Sequence, residues 1–261
     1  MRLVLVRHGQ TASNRSHALD TAYPGVPLDP RGREQAEALA GDWDSLVGAA
    51  PDAMRVSPLL RCRMTAAPLA ARFGVDVVIR SGVRELHAGD LEMNSDFPSM
   101  LRYMRALEAW TTGDLDYRMP GGGDGHAVHA RALPVVDEVV AAARTAREAT
   151  GDDPEDAVAV IVAHGAMNRI LSEHLAENVP SALVMGHPLG NAHTVVLERS
   201  FADAEGRSVA GADVPAATGA TGARVPSERG TWHAHTWNNR PIDFWELHSD
   251  RAFPAPSKLE A

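Results

Sequence analysis

Cysteine is almost absent from this chain. Its single thiol, Cys62, excludes an intramolecular disulfide and any zinc site built on cysteine ligands. Long apolar runs are missing too. The longest, Ala157 to Ala163, has seven residues, against the ~20 that cross a bilayer. Near the start, Leu3 to Val6 gives four apolar residues between two arginines, too few for the core of a signal peptide. Cations are outnumbered, with 25 Lys and Arg against 34 Asp and Glu, a formal net charge of −9. A broad electrostatic grip on DNA or RNA is therefore not expected, and an anionic substrate needs a local positive pocket. These absences describe a soluble cytoplasmic protein with neither a membrane nor a nucleic acid as partner. What is present is ordinary globular material, 44% apolar and 23% charged over 261 residues, enough for a substantial core.

Leu3 to Val6 is apolar throughout and β-branched at alternate positions, as in a strand buried on both faces of a parallel sheet. Val158 to Val162 is a second such run, and Val75 to Ile79 and Thr194 to Leu197 are shorter candidates. Helical patterns alternate with them. Asp29-Pro30 forms an N-cap with proline at the first helical position, and Ala36, Leu39, Ala40, Trp43 and Val47 make one buried stripe. Ser57-Pro58 is expected to open another helix that Gly74 closes, with Pro68 kinking or breaking it. Residues 96–112 and 124–149 read as further helices, the second interrupted near Pro134. The alternation predicts one α/β domain over residues 1–261, a three-layer sandwich whose mostly parallel central sheet is flanked by helices. Residues 203–230, rich in Ala, Gly, Thr and Ser, read as a mobile loop, and 253–261 as a fraying tail. Trp232 to Trp237 reads as a strand.

The two strongest strands end in Arg7-His8-Gly9 and Ala163-His164-Gly165. Ligands of open α/β sheets bind beyond the carboxyl ends of strands, so the two histidines are expected to meet there. Glycine lets a backbone approach a ligand, and a helix starting after each loop offers free N–H groups to an anion. The pattern fits a phosphate site with imidazole chemistry. It equally fits two hydrogen-bonded structural histidines.

The wider pattern favours the first. Arg7-His8-Gly9-Gln10-Thr11-Ala12-Ser13-Asn14 resembles the RHGxTxxN opening of the histidine phosphatase superfamily, the phosphoglycerate-mutase-like group. Pro27-Leu28-Asp29 with Gly32 and Gln35-Ala36 is similar to its next block, and Ser57 to Ala66 to its SxxxRAxxTA helix. Glu85, Gly89 and Glu92 resemble its acid/base segment, Gly121 to Asp124 its GGES, His164-Gly165 its second histidine and Asn191 a later asparagine. The blocks follow family order over roughly residues 1–199. The resemblance implies a helical cap insertion at about 87–130 and a phosphomonoesterase of the histidine acid phosphatase type, acting through phosphohistidine. His8 is then the nucleophile, kept neutral by Arg7 and Arg61. Arg7 and Arg61 hold the phosphoryl oxygens, His164 and Asn14 donate further hydrogen bonds, and Gly165 lines the site. Glu85 protonates the leaving oxygen and later activates water. Read from its neighbours alone, Glu85 would instead pair with Arg84 or Arg80. No metal and no cofactor are required, and the partner is a small phosphate ester.

Three departures stand out. The family's GxWEG reads Gly89-Asp90-Leu91-Glu92-Met93 here, so the lost tryptophan is expected to reshape the substrate wall. Asp124-Gly125 replaces Glu-Ser, and Cys62 replaces alanine. His126 with His129, and His233 with His235, are spaced for metal but lack an evident third ligand. Arg102, Tyr103, Arg105, Trp110 and Arg118 fall in the cap, where they either meet the substrate or form a solvated face with aromatic packing. A cofactor-dependent phosphoglycerate mutase is the alternative enzyme, but its longer basic insertion is not found in residues 87–120. A non-catalytic phospholigand-binding protein is the third reading, against which all five core side chains are retained.

Overall fold

The computed structural model describes residues 1–199 and 232–247. The expected loop at 203–230 and the tail at 253–261 lie outside those residues. Elements follow the chain as β1 (Arg2–Arg7), α1 (Ala12–Ser16), α2 (Pro30–Val47), β2 (Ala53–Val56), α3 (Leu60–Phe73) and β3 (Val77–Ile79). Then come α4 (Phe97–Thr111), α5 (Gly125–Ala149), β4 (Val158–Ala163), α6 (Gly165–Leu175), α7 (Ser181–Gly186) and β5 (Thr194–Arg199). β6 (Trp232–Trp237), β7 (Arg240–Pro241) and α8 (Ile242–Leu247) complete the described part.

The seven strands form one sheet in the order β3-β2-β4-β1-β5-β6-β7. β3, β2, β4 and β1 are mutually parallel, whereas β5, β6 and β7 add on antiparallel. The predicted strand at Thr194 is thus real but runs against its neighbour. Alternation along the parallel strands divides the core between two faces. Val4, Val6, Met54, Val56, Val160 and Val162 meet Leu39, Trp43 and Leu69 of α2 and α3. Leu3, Leu5, Ala159 and Ile161 meet Leu107, Val139, Ile170 and Leu171 of α4, α5 and α6. That is the three-layer sandwich.

The α2 stripe is buried as expected, capped by the Asp29 carboxylate on Gly32 N (2.8 Å). β2 was not legible, because Arg55 breaks its short apolar run. The Arg55 side chain is buried against Glu138 of α5 at 2.7 Å, and Arg80 reaches the same carboxylate at 2.6 Å. One acid thus pins two strand ends to one helix. β3 shrinks to three residues at the sheet edge, with Val77 and Ile79 exposed. Neither proline breaks its helix: α3 and α5 run through Pro68 and Pro134. Each removes one backbone donor, but Thr65, Ala66 and Leu69 around the first, and Val135 and Val136 beside the second, are buried against the core. Packing outweighs the local penalty. Ser57-Pro58 does not open α3, which starts at Leu60 without a side-chain cap.

Trp43 is fully buried and its indole donates to Ala49 O at 2.9 Å. Trp43→Ala is expected to cost about 3–5 kcal/mol, read as a lowered urea midpoint. A loss below about 1 kcal/mol would show that α2 is not anchored by this residue.

Candidate active site

β1 and β4 are neighbours in register, with Arg7 opposite Ala163. The next residue of each strand is a histidine, so His8 and His164 leave the sheet side by side, ring centroids 5.3 Å apart. Both are buried. His8 Nδ1 lies 2.7 Å from Gly9 O, and Arg61 Nε donates to His8 Nε2 at 3.0 Å. A guanidinium has no acceptor to offer. Nε2 therefore presents its lone pair, and the proton sits on Nδ1. The His8 carbonyl is held by Asn191 Nδ2 and Ala192 N, each at 3.1 Å.

Arg61, from α3, is 3% exposed and is shared by the whole pocket. Its Nη2 donates to Asp20 O at 2.9 Å and to His164 Nδ1 at 3.2 Å, and its Nη1 faces the Asp20 carboxylate at 3.6 Å. His164 Nε2 meets Ser57 Oγ at 2.8 Å. His164 thus accepts at Nδ1 and donates to Ser57, so the expected hydrogen bond to a phosphoryl group is not preformed. Burial, then Arg61 and Arg7, holds the His8 pKa well below the usual histidine value. Burial, then Arg61 and His8, does the same to His164. Two buried donors of this pocket make no hydrogen bond, Arg7 Nε and Arg61 Nη1, the second with only the Asp20 carboxylate at 3.6 Å opposite it. Unpaired buried donors are costly, and an anion is their natural complement.

The glycines serve packing more than ligand approach. A Cβ on Gly9 would stand 2.5 Å from Gly32 O, and one on Gly165 would stand 3.2 Å from Arg7 Nε. Gly9 N is already taken by Thr65 Oγ at 2.9 Å. The N-terminus of α6 is not open to a ligand either. Glu85 fills it, accepting from Met167 N (2.9 Å) and Leu86 N (3.0 Å) at Oε1 and from Ala166 N (3.2 Å) at Oε2. Glu85 therefore joins the histidine loops, and Arg80 pairs with Glu138. Asn14 Oδ1 accepts from Thr11 N at 3.1 Å and from Asn191 Nδ2 at 3.0 Å, so its oxygen is committed to the protein.

Several residues were missed. Asp20 balances Arg61, and its Oδ2 is fixed by Ser13 Oγ at 3.0 Å and Val26 N at 3.2 Å. Arg131 of α5 donates to the carbonyls of Gly82 (2.5 Å), Arg84 (2.8 Å) and Glu85 (3.0 Å), so it sets the backbone that carries Glu85. Arg169 is buried against Val184 O at 2.7 Å, its pKa brought down to about 10 by burial. Each acts on a chain segment distant in sequence, so no local pattern marks it. Ser57 stands where the sequence suggests a helix start, but its hydroxyl holds His164 instead. Leu91, in place of the tryptophan, belongs to the core rather than to a substrate wall. The Cys62 thiol is pushed up to about 12 by burial and donates to Ala163 O at 3.2 Å. Tyr103 and Trp110 are buried, Arg118 pairs with Asp124 at 2.9 Å, and Arg102 is exposed. Arg105 lines a surface hollow of about 450 Å³ with Glu108, Ala109, Thr112, Asp114 and Tyr117. His129 stacks on His174 at 4.4 Å, His126 meets Asp116 at 3.2 Å and His233 meets Asn178 at 3.0 Å. Among the described residues none of them joins a group of three metal-ligating side chains, and no helix is long and apolar enough to cross a membrane.

Comparison with known proteins identifies the family. Residues 3–210 match the family model of the histidine phosphatase superfamily (branch 1). The chain is 40% identical over 110 residues to the PE-PGRS family protein PE_PGRS11 of Mycobacterium tuberculosis, covering 41% of this chain and 18% of that protein, so it spans less than a fifth of that relative. It is 34% identical over 185 residues to the glucosyl-3-phosphoglycerate phosphatase of the same species, covering 67% of this chain and 74% of that one. The structure of a mycobacterial glucosyl-3-phosphoglycerate phosphatase superposes with a TM-score of 0.65 at 29% identity, over 91% of this chain and 98% of that one.

The neutral, buried imidazoles carry a stability signature. The unfolded chain takes up protons on these groups below about pH 6.5 while the folded chain does not, so stability is complete above that pH and falls below it. Each imidazole contributes a slope of about 1.4 kcal/mol per pH unit. The unfolding free energy of His8→Asn, measured with urea, is expected to fall less steeply with decreasing pH than that of wild type, by about that amount per pH unit between about pH 6.5 and 5. Equal slopes would show that His8 is protonated in the fold.

Proposed function

The chain belongs to the histidine phosphatase superfamily, and on that footing we propose that it is a metal-independent cytoplasmic phosphomonoesterase. It hydrolyses a small phosphorylated metabolite through a phosphohistidine on His8. Residues 1–261 act as one domain, with 87–130 as the cap over the pocket. The observation that supports this reading most is the pair of buried guanidinium donors without a hydrogen bond, Arg7 Nε and Arg61 Nη1, on the two arginines that flank His8, whose Nε2 lone pair faces Arg61. The glucosyl-3-phosphoglycerate phosphatases named above set the scale of the substrate, a metabolite phosphate ester.

A phosphoryl group entering the site draws the Arg61 guanidinium onto its oxygens and releases the lone pair of His8 Nε2. Nε2 attacks phosphorus, and the bond to the leaving oxygen breaks as Glu85 protonates it. Glu85 Oε2, with one backbone donor, is the oxygen with room for that proton. A solvent proton taken up with the phosphate dianion sits on His164 Nδ1, which then donates to the equatorial oxygens alongside Asn14 and Arg7; that proton departs with the released phosphate. In the second half, water gives a proton to Glu85 and attacks phosphorus, the P–N bond breaks, and phosphate leaves. Arg7 and Arg61 supply the positive charge that a metal supplies in other phosphatases.

Rapid alkaline quench in SDS of the enzyme turning over a ³²P-labelled aryl phosphate in EDTA is expected to trap a label that is stable to alkali and lost in acid, and that is absent from His8→Ala. Label on a serine, or turnover that EDTA abolishes and Mg²⁺ restores, would overturn the mechanism. Glu85→Gln is expected to slow phosphoryl transfer from an alkyl ester by ~10²–10⁴-fold, with a much smaller loss for a nitrophenyl ester in single turnover. Arg131→Met should show the same leaving-group dependence more weakly. Equal losses for both esters would make Glu85 structural and Arg131 irrelevant to the acid.

A further inference from the structure

Seven large apolar side chains are exposed among the described residues, and four of them lie on segments that are bonded to one another: Tyr23 (66%), Leu60 (37%), Met93 (56%) and Phe97 (64%). They are carried by three segments tied to one another. Glu92 Oε1 accepts from Thr21 N (2.8 Å) and Ala22 N (2.9 Å), and its Oε2 accepts from Thr21 Oγ1. Ala88 N donates to the same Thr21 hydroxyl at 3.0 Å. Met93 N donates to Leu19 O (3.1 Å), Leu19 N to Asn94 O (2.9 Å) and Leu60 N to Pro24 O (3.0 Å).

This latched cluster borders the phosphate pocket. Asp20 binds Arg61, and a Cβ on Gly25 would stand 2.5 Å from Arg61 Nη1, so the 20–25 segment lies directly on the guanidinium. On its other side it is bonded to the 88–94 segment, which continues back to Glu85.

Met93 adds a separate argument. Its φ is +61°, in the left-handed region where a side chain costs roughly 1–2 kcal/mol. The resembled GxWEG pattern has glycine at this place. A strained, exposed methionine is kept where glycine would relax the backbone, and strain of this kind gathers at ligand sites.

We propose, resting on the phosphatase reading above, that Tyr23, Met93 and Phe97 form a leaving-group subsite, latched by Glu92, that takes a ring or other apolar face. The natural ester then carries a sizeable ring-bearing alcohol rather than a short polyanionic chain. Aromatic side chains supply flat contact area for such a face at low entropic cost.

Two non-hydrolysable probes test it by calorimetry, 2-naphthylmethylphosphonate and methylphosphonate. The wild type is expected to prefer the first by about tenfold, a difference of about 1.4 kcal/mol. Tyr23→Ser with Phe97→Ser should bring the ratio of affinities below about threefold. Met93→Gly should also lower the ratio while keeping or raising Tm, because it relieves the backbone. A wild-type ratio near one, or a ratio unmoved by these changes, overturns the subsite even if esters are hydrolysed. A dimer that Tyr23→Ser converts to monomer also overturns it, because the cluster would then be an interface. If neither phosphonate binds and no ester is turned over, the phosphatase reading itself fails.

Discussion

Arg61 brings a full positive charge to a position that is 3% exposed, and most of the pocket is arranged around that burden. Removing an ion from water costs several kcal/mol unless hydrogen bonds and opposite charge replace the solvent. Asp20 supplies the charge, and Asp20 O, His8 Nε2 and His164 Nδ1 supply the acceptors. The same contacts dictate the state of both imidazoles. Each must turn a bare nitrogen toward the guanidinium, so each is neutral, and in His8 the bare nitrogen is the one a nucleophile needs. One buried cation thereby fixes tautomer, charge and orientation together.

Chain topology does the rest. Parallel pairing of β1 with β4 brings two strand ends to one edge, and antiparallel β5 returns Asn191 and Ala192 to the His8 carbonyl. α6 begins at once after His164, so its first N–H groups seize the Glu85 carboxylate. Glu85 and His164 thus meet at the first turn of α6, while α5 holds the Glu85 backbone from behind through Arg131.

Strands that announce themselves by continuous apolar runs, such as Leu3–Val6 and Val158–Val162, were legible in the sequence, as was the α2 stripe ending at Val47. The motif residues His8, Arg61, Glu85 and His164 were legible as a set through resemblance, and the structure gathers them. β2 was hidden because its one charged residue, Arg55, is neutralised by Glu138, 83 positions later. Pro68 and Pro134 misled because the penalty is local and the compensation is tertiary. The glycines of the RHG and HG motifs misled differently. Their type was informative, but the bodies they make room for, Gly32 O and Arg7 Nε, are protein rather than ligand. Asp20 and Arg131 had no local signature, because each works on a segment brought close only by the fold.

The contact between Gly9 and Gly32 also restricts how this protein can drift. A side chain on either one meets backbone of the other strand of the contact, the Gly32 carbonyl in one direction and the Gln10 carbonyl in the other. Neither codon can change alone, and changing both compounds the collision. The loop is further moored to α2 by Gln10 N on Gln35 Oε1 at 2.8 Å and by Asp29 N on Gln10 O at 3.0 Å. The only remaining route for variation is to translate α2 bodily, which drags Leu39, Trp43 and Val47 through one entire core layer. Ancestry is thereby written into this corner: the histidine loop and a helix with no part in the chemistry must descend together, and a lineage that loosens one loses its register in the other.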